Sequence, residues 1–145
     1  MNVDDLKKSL KLPIIGAPLF IISNPDTVLA QCTAGVVGSF PALNARGDGE
    51  LDRWIDTIEN GIIKIKSKQI SKSRSNKVAP YAVNQIVHSS NKRLQKDLKI
   101  CSEKKVPIII TSLRPPDEVV SAAHSYGGLV FHDVINLRHA EKAIK

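Results

Sequence analysis

The chain has 145 residues, of which 42% are hydrophobic and 24% are charged, which is typical of one globular domain and excludes disorder throughout. Its net charge of +7 admits a nucleic-acid partner, but most of that charge lies in the aromatic-free segment 64–77. Such a segment is typical of a solvated loop or a frayed helix end, with an anion-binding patch as the alternative, so we predict no nucleic-acid partner. From the length and composition we predict a single domain over residues 1–145.

The N-terminal segment 1–11 is charged and lacks the apolar centre of a signal peptide. No apolar run approaches the roughly 20 residues that a membrane-spanning helix needs. Cys32 and Cys101 stand in no metal-ligand spacing and fall on the apolar faces of predicted helices, where buried, reduced thiols are expected. The sequence therefore predicts a cytoplasmic protein that uses neither a membrane nor a metal.

Five strands, each followed by a helix, are predicted in chain order. The strands lie near residues 13–18, 36–41, 81–87, 107–112 and 129–134. Asn24 and Pro25 are typical of the start of the first helix, and Gly35 is typical of its end. Residues 51–62 repeat apolar side chains at helical spacing, and Ser90 is a candidate cap for the helix that follows the third strand.

This alternation indicates a parallel sheet, which an open flavodoxin-like sheet or part of an eight-fold barrel would satisfy. No Gly-rich phosphate loop follows the first strand, and the chain ends within a helix, whereas a whole barrel takes about 250 residues. Polar residues also stand near the carboxyl ends of several strands, where barrels build their active sites. These residues are Ser39, Asn84, Gln85, Thr111, Ser112, His132 and Asp133. We therefore predict an α/β fold, an incomplete (β/α)8 TIM barrel of about the first five β/α units.

Two short stretches carry groups that suit a flat ring system. At Ala17-Pro18-Leu19 the small residues and the proline-fixed turn would let backbone amides approach a ring, although proline also marks ordinary strand exits. Asn84 and Gln85 offer both hydrogen-bond donors and acceptors. A flavin edge needs that mixture, and a neighbouring loop can equally use it.

The four histidines stand in different contexts. His88 precedes a helix and is expected to bind loop backbone, whereas His124 and His139 are expected on helix surfaces. His132, next to Asp133 at the end of a strand, suits an acid/base device, a buried hydrogen-bonded pair, or a contact to phosphate or flavin.

Five segments together resemble a known family in their order and spacing. They are LPIIGAPLFIISNP (12–25), AGVVGSFPALNAR (34–46), APYAVNQIVHSSNKRLQKDL (79–98), KVPIIITSL (105–113) and HSYGGLVFHDVINLRHAEKAI (124–144). They resemble the N-terminal part of nitronate monooxygenases, formerly called 2-nitropropane dioxygenases. The resemblance covers nearly the whole chain apart from residues 1–11 and the basic segment.

The resemblance implies a barrel that binds FMN non-covalently and oxidises alkyl nitronates with dioxygen. The cofactor-binding residues that it implies are Ala17, Pro18, Leu19, Asn84, His132 and Asp133. The backbone of Ala17 to Leu19, where the first strand ends, would lie against the isoalloxazine, and Asn84 would form a hydrogen bond with the ring. His132 and Asp133 would stand near the flavin. Several family members have lysine where this chain has Asp133.

The family's catalytic histidine belongs to a Gly-rich AGGHxG-type motif, and its phosphate-binding loops follow later strands. Neither occurs in this sequence, so we assign no catalytic residue and expect a truncated form that has little activity by itself. The alternatives are a flavin-dependent enoyl-thioester reductase of the same superfamily and a non-catalytic gene remnant. Because an incomplete barrel leaves two strand edges open, self-association through those edges is also expected.

Overall fold

A computed structural model describes residues 1–71, 77–114 and 116–144, with backbone alone for residues 69–71. The helices are α1 Val3–Ser9, α2 Pro25–Ala34, α3 Glu50–Ser71, α4 Leu94–Glu103, α5 Asp117–Ser125 and α6 Leu137–Ile144. The strands are β1 Gly38–Pro41, β2 Tyr81–Val87, β3 Ile108–Leu113 and β4 Leu129–His132, and a 3₁₀ turn spans Ala42–Asn44. The alternation of strands and helices that the sequence predicts is therefore present.

The strands form one parallel sheet in the order β1-β2-β3-β4. The predicted first strand is reduced to a single parallel bridge between Ile15 and Val37, and it lies beside β1. Sequential neighbours in one direction are the pattern of a barrel, whereas a flavodoxin-like sheet places its second strand before its first. The prediction of a regular strand over 13–18 is wrong because Pro13 and Pro18, which have no N–H to donate, confine the pairing to the residues between them.

The helix start and stop signals of α2 are confirmed. The Asn24 side chain accepts a hydrogen bond from the Thr27 amide at 3.0 Å, and Gly35 ends the helix in the left-handed conformation with φ 88°. At Gly38 a β-carbon would lie 2.4 Å from the Val28 carbonyl oxygen, so the glycine allows α2 to pack directly on β1.

The expected Ser90 cap is wrong. Helix α4 begins at Leu94, and the Arg93 side chain at its N-cap makes no capping bond. The Ser90 hydroxyl instead lies 2.8 Å from Nδ1 of His88. The side-chain oxygen of Asn91 accepts from the Arg93 amide at 3.1 Å, so a neighbouring residue supports the turn that precedes the helix.

One side of the sheet, the helix-packed face, carries the main core. The side chains of Phe40, Val83 and Ile109 project from β1, β2 and β3 against helices α2 to α5, and they are fully buried. The apolar residues predicted for the second helix meet this face: Leu51, Ile55 and Ile58 are buried, and Trp54 packs on Phe40 with ring centroids 5.5 Å apart.

The opposite side, the open face, is defined by Val37, Ala82, Ile108, Ile110 and Phe131. Helix α1 covers its amino end with Leu6 and Leu10. Towards the carboxyl ends of the strands this cover stops, and Phe131 is only half-buried. The two faces of one sheet therefore differ in how completely they are covered.

Helix α1 is tied to the rest of the chain by backbone acceptors. The N-terminal ammonium donates to the Gly127 carbonyl at 2.6 Å, and Nζ of Lys77 donates to the Leu10 carbonyl at 2.9 Å. Lys77 closes the basic segment, whose residues 64–71 continue helix α3 and whose residues 72–76 lie outside the described residues. No helix within the described ranges is long and apolar enough to cross a membrane.

Candidate functional site

Asn84 lies on the open face, near the carboxyl end of β2. Its side chain is 4% exposed, and Nδ2 donates to the Ile110 carbonyl and to the Ser112 hydroxyl, both at 3.2 Å. Both amide protons are thus used by β3, and Oδ1 has no partner in the described part of the chain. Asn84 can therefore offer a ligand one fixed acceptor.

Gln85 points to the other side of the sheet, since successive side chains on a strand alternate between its faces. It is fully buried; its Nε2 donates to Sγ of Cys101 at 3.5 Å, and its Oε1 has no partner among the described residues. The structure thus separates two amides that the sequence places side by side, and Asn84 is the one on the open face.

The predicted ring contact at Ala17-Pro18-Leu19 follows the bridge of the first strand. The Gly16 amide donates to the Val37 carbonyl at 2.8 Å, and the Ser39 hydroxyl donates to the Gly16 carbonyl. The next amide, that of Ala17, has no partner among the described residues, and Ala17 is exposed. Because backbone N–H groups alternate in direction along a strand, this free donor points away from β1.

A tight turn over Leu19–Ser23 follows this donor and displays apolar side chains. The exposed fractions of Leu19, Phe20, Ile21 and Ile22 are 49%, 60%, 70% and 64%. The guanidinium of Arg46 lies over the Phe20 ring, 5.6 Å from its centroid. The sequence indicates a loop here but not a turn that keeps large apolar groups exposed.

Asn44, a residue that sequence reasoning missed, holds this turn. Its Oδ1 accepts from the Ile21 amide at 3.0 Å, and its Nδ2 donates to the Leu19 carbonyl at 3.1 Å and to the Ser23 carbonyl at 2.8 Å. The sequence signal was weak, because an asparagine before a polar loop is an ordinary turn residue and its partners lie more than 20 positions away.

The structure does not bring His132 and Asp133 together as an ion pair, although it describes both residues. Nδ1 of His132 lies 2.8 Å from the hydroxyl of Thr111, its register partner on β3. Thr111 alternates with Ile110 and therefore belongs to the helix-packed face, which places His132 there too. The Asp133 amide donates to the Thr111 carbonyl at 3.0 Å, and Asp133, which follows the last residue of β4, is exposed.

The other histidines lie where the sequence suggests. His88 contacts the Ser90 amide at 3.2 Å through Nδ1, and His124 and His139 are exposed on α5 and α6. A cleft of about 630 Å³ lies between α5 and α6, and His132, Asp133 and His139 are among the residues that line it. It is on the helix side of the sheet, away from Asn84, and none of the described residues of α6 is buried.

The two cysteines are buried and unpaired. Burial raises the pKa of the Cys32 thiol to about 11 and that of the Cys101 thiol to about 12. Both are therefore protonated at neutral pH and unsuited to nucleophilic catalysis. Among the described residues no cluster of three or more His, Cys, Asp or Glu side chains is arranged to hold a metal ion.

Comparison with solved structures identifies the architecture. FabK from Thermotoga maritima and a point mutant of it match this chain with a TM-score of 0.70 at 22% identity over 97% of its residues. The chain has the fold of a partial TIM barrel. It spans 40% of one FabK chain and 42% of the other. No family model and no curated protein matches it.

Proposed function

We propose that this chain provides the first five β/α units of a flavin-dependent oxidoreductase barrel. The observation that carries the proposal is the pair of free polar groups at the carboxyl end of the open face: the Ala17 amide donor and the Asn84 Oδ1 acceptor. They lie on strands two positions apart, which corresponds to about 10 Å.

FMN fits this arrangement in its ring contacts. The backbone of Ala17 to Leu19 would contact the ring, and the side chains of Ala17 and Pro18 are small enough to allow this approach. The Oδ1 atom of Asn84 would accept a hydrogen bond from a ring N–H. When bound, FMN supplies a group that accepts and returns electrons. The chain's own contribution is to hold the ring at the carboxyl end of the strands, where barrel active sites lie.

For the reaction, we favour enoyl-thioester reduction. The similar solved structures are of FabK, an enoyl-ACP reductase of the 2-nitropropane dioxygenase-like family. Oxidation of alkyl nitronates with dioxygen is the second candidate, and it rests on the resemblance of the five sequence segments 12–25, 34–46, 79–98, 105–113 and 124–144.

The proposed roles of His132 and Asp133 are unequal. Asp133 follows β4, is exposed and lines the same cleft as His132. His132 faces the helix layer, bonded to Thr111, so a cofactor contact by its side chain would need a different rotamer. We propose a structural role for His132 and keep Asp133 as the candidate for a contact near the ring.

The test is FMN binding by the purified chain, followed by quenching of flavin fluorescence. We expect weak binding, because phosphate anchors of the kind that Gly-rich loops provide are absent from the sequence. Asn84→Ala should weaken binding about 3- to 10-fold, which is the value of one hydrogen bond. Asn60→Ala, on the exposed side of α3, is the matched control and should bind as the parent does.

Activity is measured on the same samples with NADH and an enoyl thioester, and by oxygen uptake with an alkyl nitronate. We expect neither reaction from the 145-residue chain alone. Absence of any FMN binding would contradict the flavin proposal. A chain that retains stoichiometric FMN through gel filtration and turns over would contradict the expectation that it lacks a catalytic base.

A further inference from the structure

We propose that Asn44 is a positioning residue, which fixes the turn after the first strand so that the backbone of Ala17 to Leu19 is presented to a flat ring. This inference rests on the proposed function and extends it to a residue that makes no contact with the ring itself.

The hydrogen-bond capacity of Asn44 supports a purely positioning role. Its Nδ2 protons are given to the Leu19 and Ser23 carbonyls, and its Oδ1 holds the Ile21 amide. The residue is 9% exposed. With both protons committed and the side chain covered, Asn44 has no donor left for a ligand, so it can act only through the turn.

The conformation that Asn44 holds is one the chain would not adopt readily. Ile21 has φ 69°, a left-handed conformation that is a genuine outlier for a β-branched residue and is unfavourable. Burial does not repay this cost, because the Ile21 side chain is 70% exposed. Polar bonds from Asn44, together with the bond from the Leu19 amide to the Ser23 hydroxyl at 2.9 Å, therefore stabilise the turn.

The turn is strained, and all of its large apolar side chains are exposed. Such a turn is better explained by contact with a bound ligand than by packing within the protein. Ala17, whose amide is free, precedes the turn. The position of Ala17 at the end of the sheet is fixed by the hydrogen bonds that the preceding residue, Gly16, makes with Ser39 and Val37. The turn is therefore anchored at both ends, by β1 at Gly16 and by Asn44 at Leu19 to Ser23. Such anchoring preorganises the donor between them, which lowers the entropy cost of binding.

The test separates positioning from simple stabilisation. Asn44→Ala and Asn44→Asp are compared with Asn2→Ala, which removes the capping bond of Asn2 to the Asp5 amide in α1, away from the turn. Each variant is checked for folding by urea unfolding and then titrated with FMN up to millimolar concentration. The readouts are the NMR shifts of the backbone amides and the visible circular dichroism of the flavin.

We expect folded Asn44→Ala to bind FMN about tenfold more weakly and to lose the FMN-induced shifts at Ala17 and Leu19. Asn44→Asp keeps the acceptor for the Ile21 amide but loses both donors, so its FMN affinity should lie between those of the parent chain and Asn44→Ala. Asn2→Ala should lose stability without loss of FMN affinity.

Unchanged FMN affinity in folded Asn44→Ala would overturn the inference. So would FMN-induced shifts confined to Asn84 and Ser112 in the parent chain, an outcome that leaves the proposed function standing. The absence of FMN-induced shifts anywhere would remove both the inference and the proposed function. If Asn44→Ala does not fold, the same outcomes are judged on Asn44→Asp and on Ser23→Ala, which removes only the bond from the Leu19 amide.

Discussion

The helix-packed face and the open face belong to the same four strands, yet they are built for different purposes. On the helix-packed face Phe40, Val83 and Ile109 are fully buried beneath four helices. On the open face only the amino end is covered, by two leucines of α1, and Phe131 and Ser112 are half-buried. The Ala17 amide and the Asn84 Oδ1, which have no partner among the described residues, lie at the uncovered end.

This difference separates residues that stabilise the fold from residues that can meet a ligand. A polar residue near the carboxyl end of a strand belongs to the first group when it faces the helices and is fully buried, as Gln85 and Thr111 are. It belongs to the second when it faces the open side, as Asn84 does. Position along the chain does not distinguish the groups, since Asn84 and Gln85 are neighbours.

The sharpest test of the comparison is a matched pair of substitutions, Phe40→Ala and Phe131→Ala. Phe40 is fully buried against Trp54, so its removal should cost about 3–5 kcal/mol of unfolding free energy. Phe131 is half-buried on the open face, and its removal should cost about 1 kcal/mol. Urea unfolding measures both, and equal losses would contradict the division into a packed and an open face.

The second prediction concerns the cover of the open face. Leu6→Ala removes a side chain that is 4% exposed between α1 and the sheet, and it should cost about 2–4 kcal/mol. Val3→Ala, on the exposed side of the same helix, should change the unfolding free energy by no more than about 0.5 kcal/mol. If Leu6→Ala is as mild as Val3→Ala, α1 does not contribute to the core.

The third prediction is a pH dependence within the helix layer. Burial raises the pKa of the Asp97 carboxyl, and Arg93, whose Nη2 lies 3.1 Å from Oδ1, offsets part of the rise. An acid whose pKa is higher in the folded state binds protons more readily when folded. Its contribution to stability is thus complete below its ordinary value of 3.8 and is lost as pH rises through the raised value.

Asp97→Asn removes this titration. The unfolding free energy of the variant relative to the parent should therefore increase as pH rises from 3.8 towards neutrality, and the Arg93 ion pair is already included in this trend because it lowers the same pKa. Urea unfolding across this pH range measures the trend. Parallel profiles for the two proteins would mean that Asp97 does not titrate with a raised pKa.

The smallest effect on folding, and the clearest on association, is expected at the exposed edge beyond β4. Ile135 is 85% exposed beside the outer strand, and unpaired edges of this kind promote self-association. We expect the 145-residue chain to self-associate at micromolar concentration. Ile135→Lys should shift it towards monomer with a stability change within about 0.5 kcal/mol.

Ile63→Lys is the control, because Ile63 is exposed on α3 away from the sheet edges. Sedimentation velocity of the three proteins measures the association. A stable monomer of the parent chain, or an equal effect of both lysines, would show that the edge beyond β4 is not an association surface.

The sequence alone determined the features that depend on local physical chemistry. The Asn24 and Pro25 start of α2, its end at Gly35, the apolar side of α3 and the burial of both cysteines all follow from bonds or spacings within a few residues. The alternation of buried strands and helices was enough to predict a parallel α/β sheet, and strand polarity located candidate residues near its carboxyl edge.

Only the tertiary structure decided which of those residues share a surface. Alternation along β2 puts Asn84 and Gln85 on opposite faces, but the helices that cover one face decide which residue is left open. His132 and Asp133 line one cleft without forming an ion pair, and the Thr111 hydroxyl engages the histidine. Asn44 gained its role because the 3₁₀ turn brings it beside a turn more than 20 residues earlier. Such contacts depend on how strands and helices pack across the chain, which no spacing within one segment encodes.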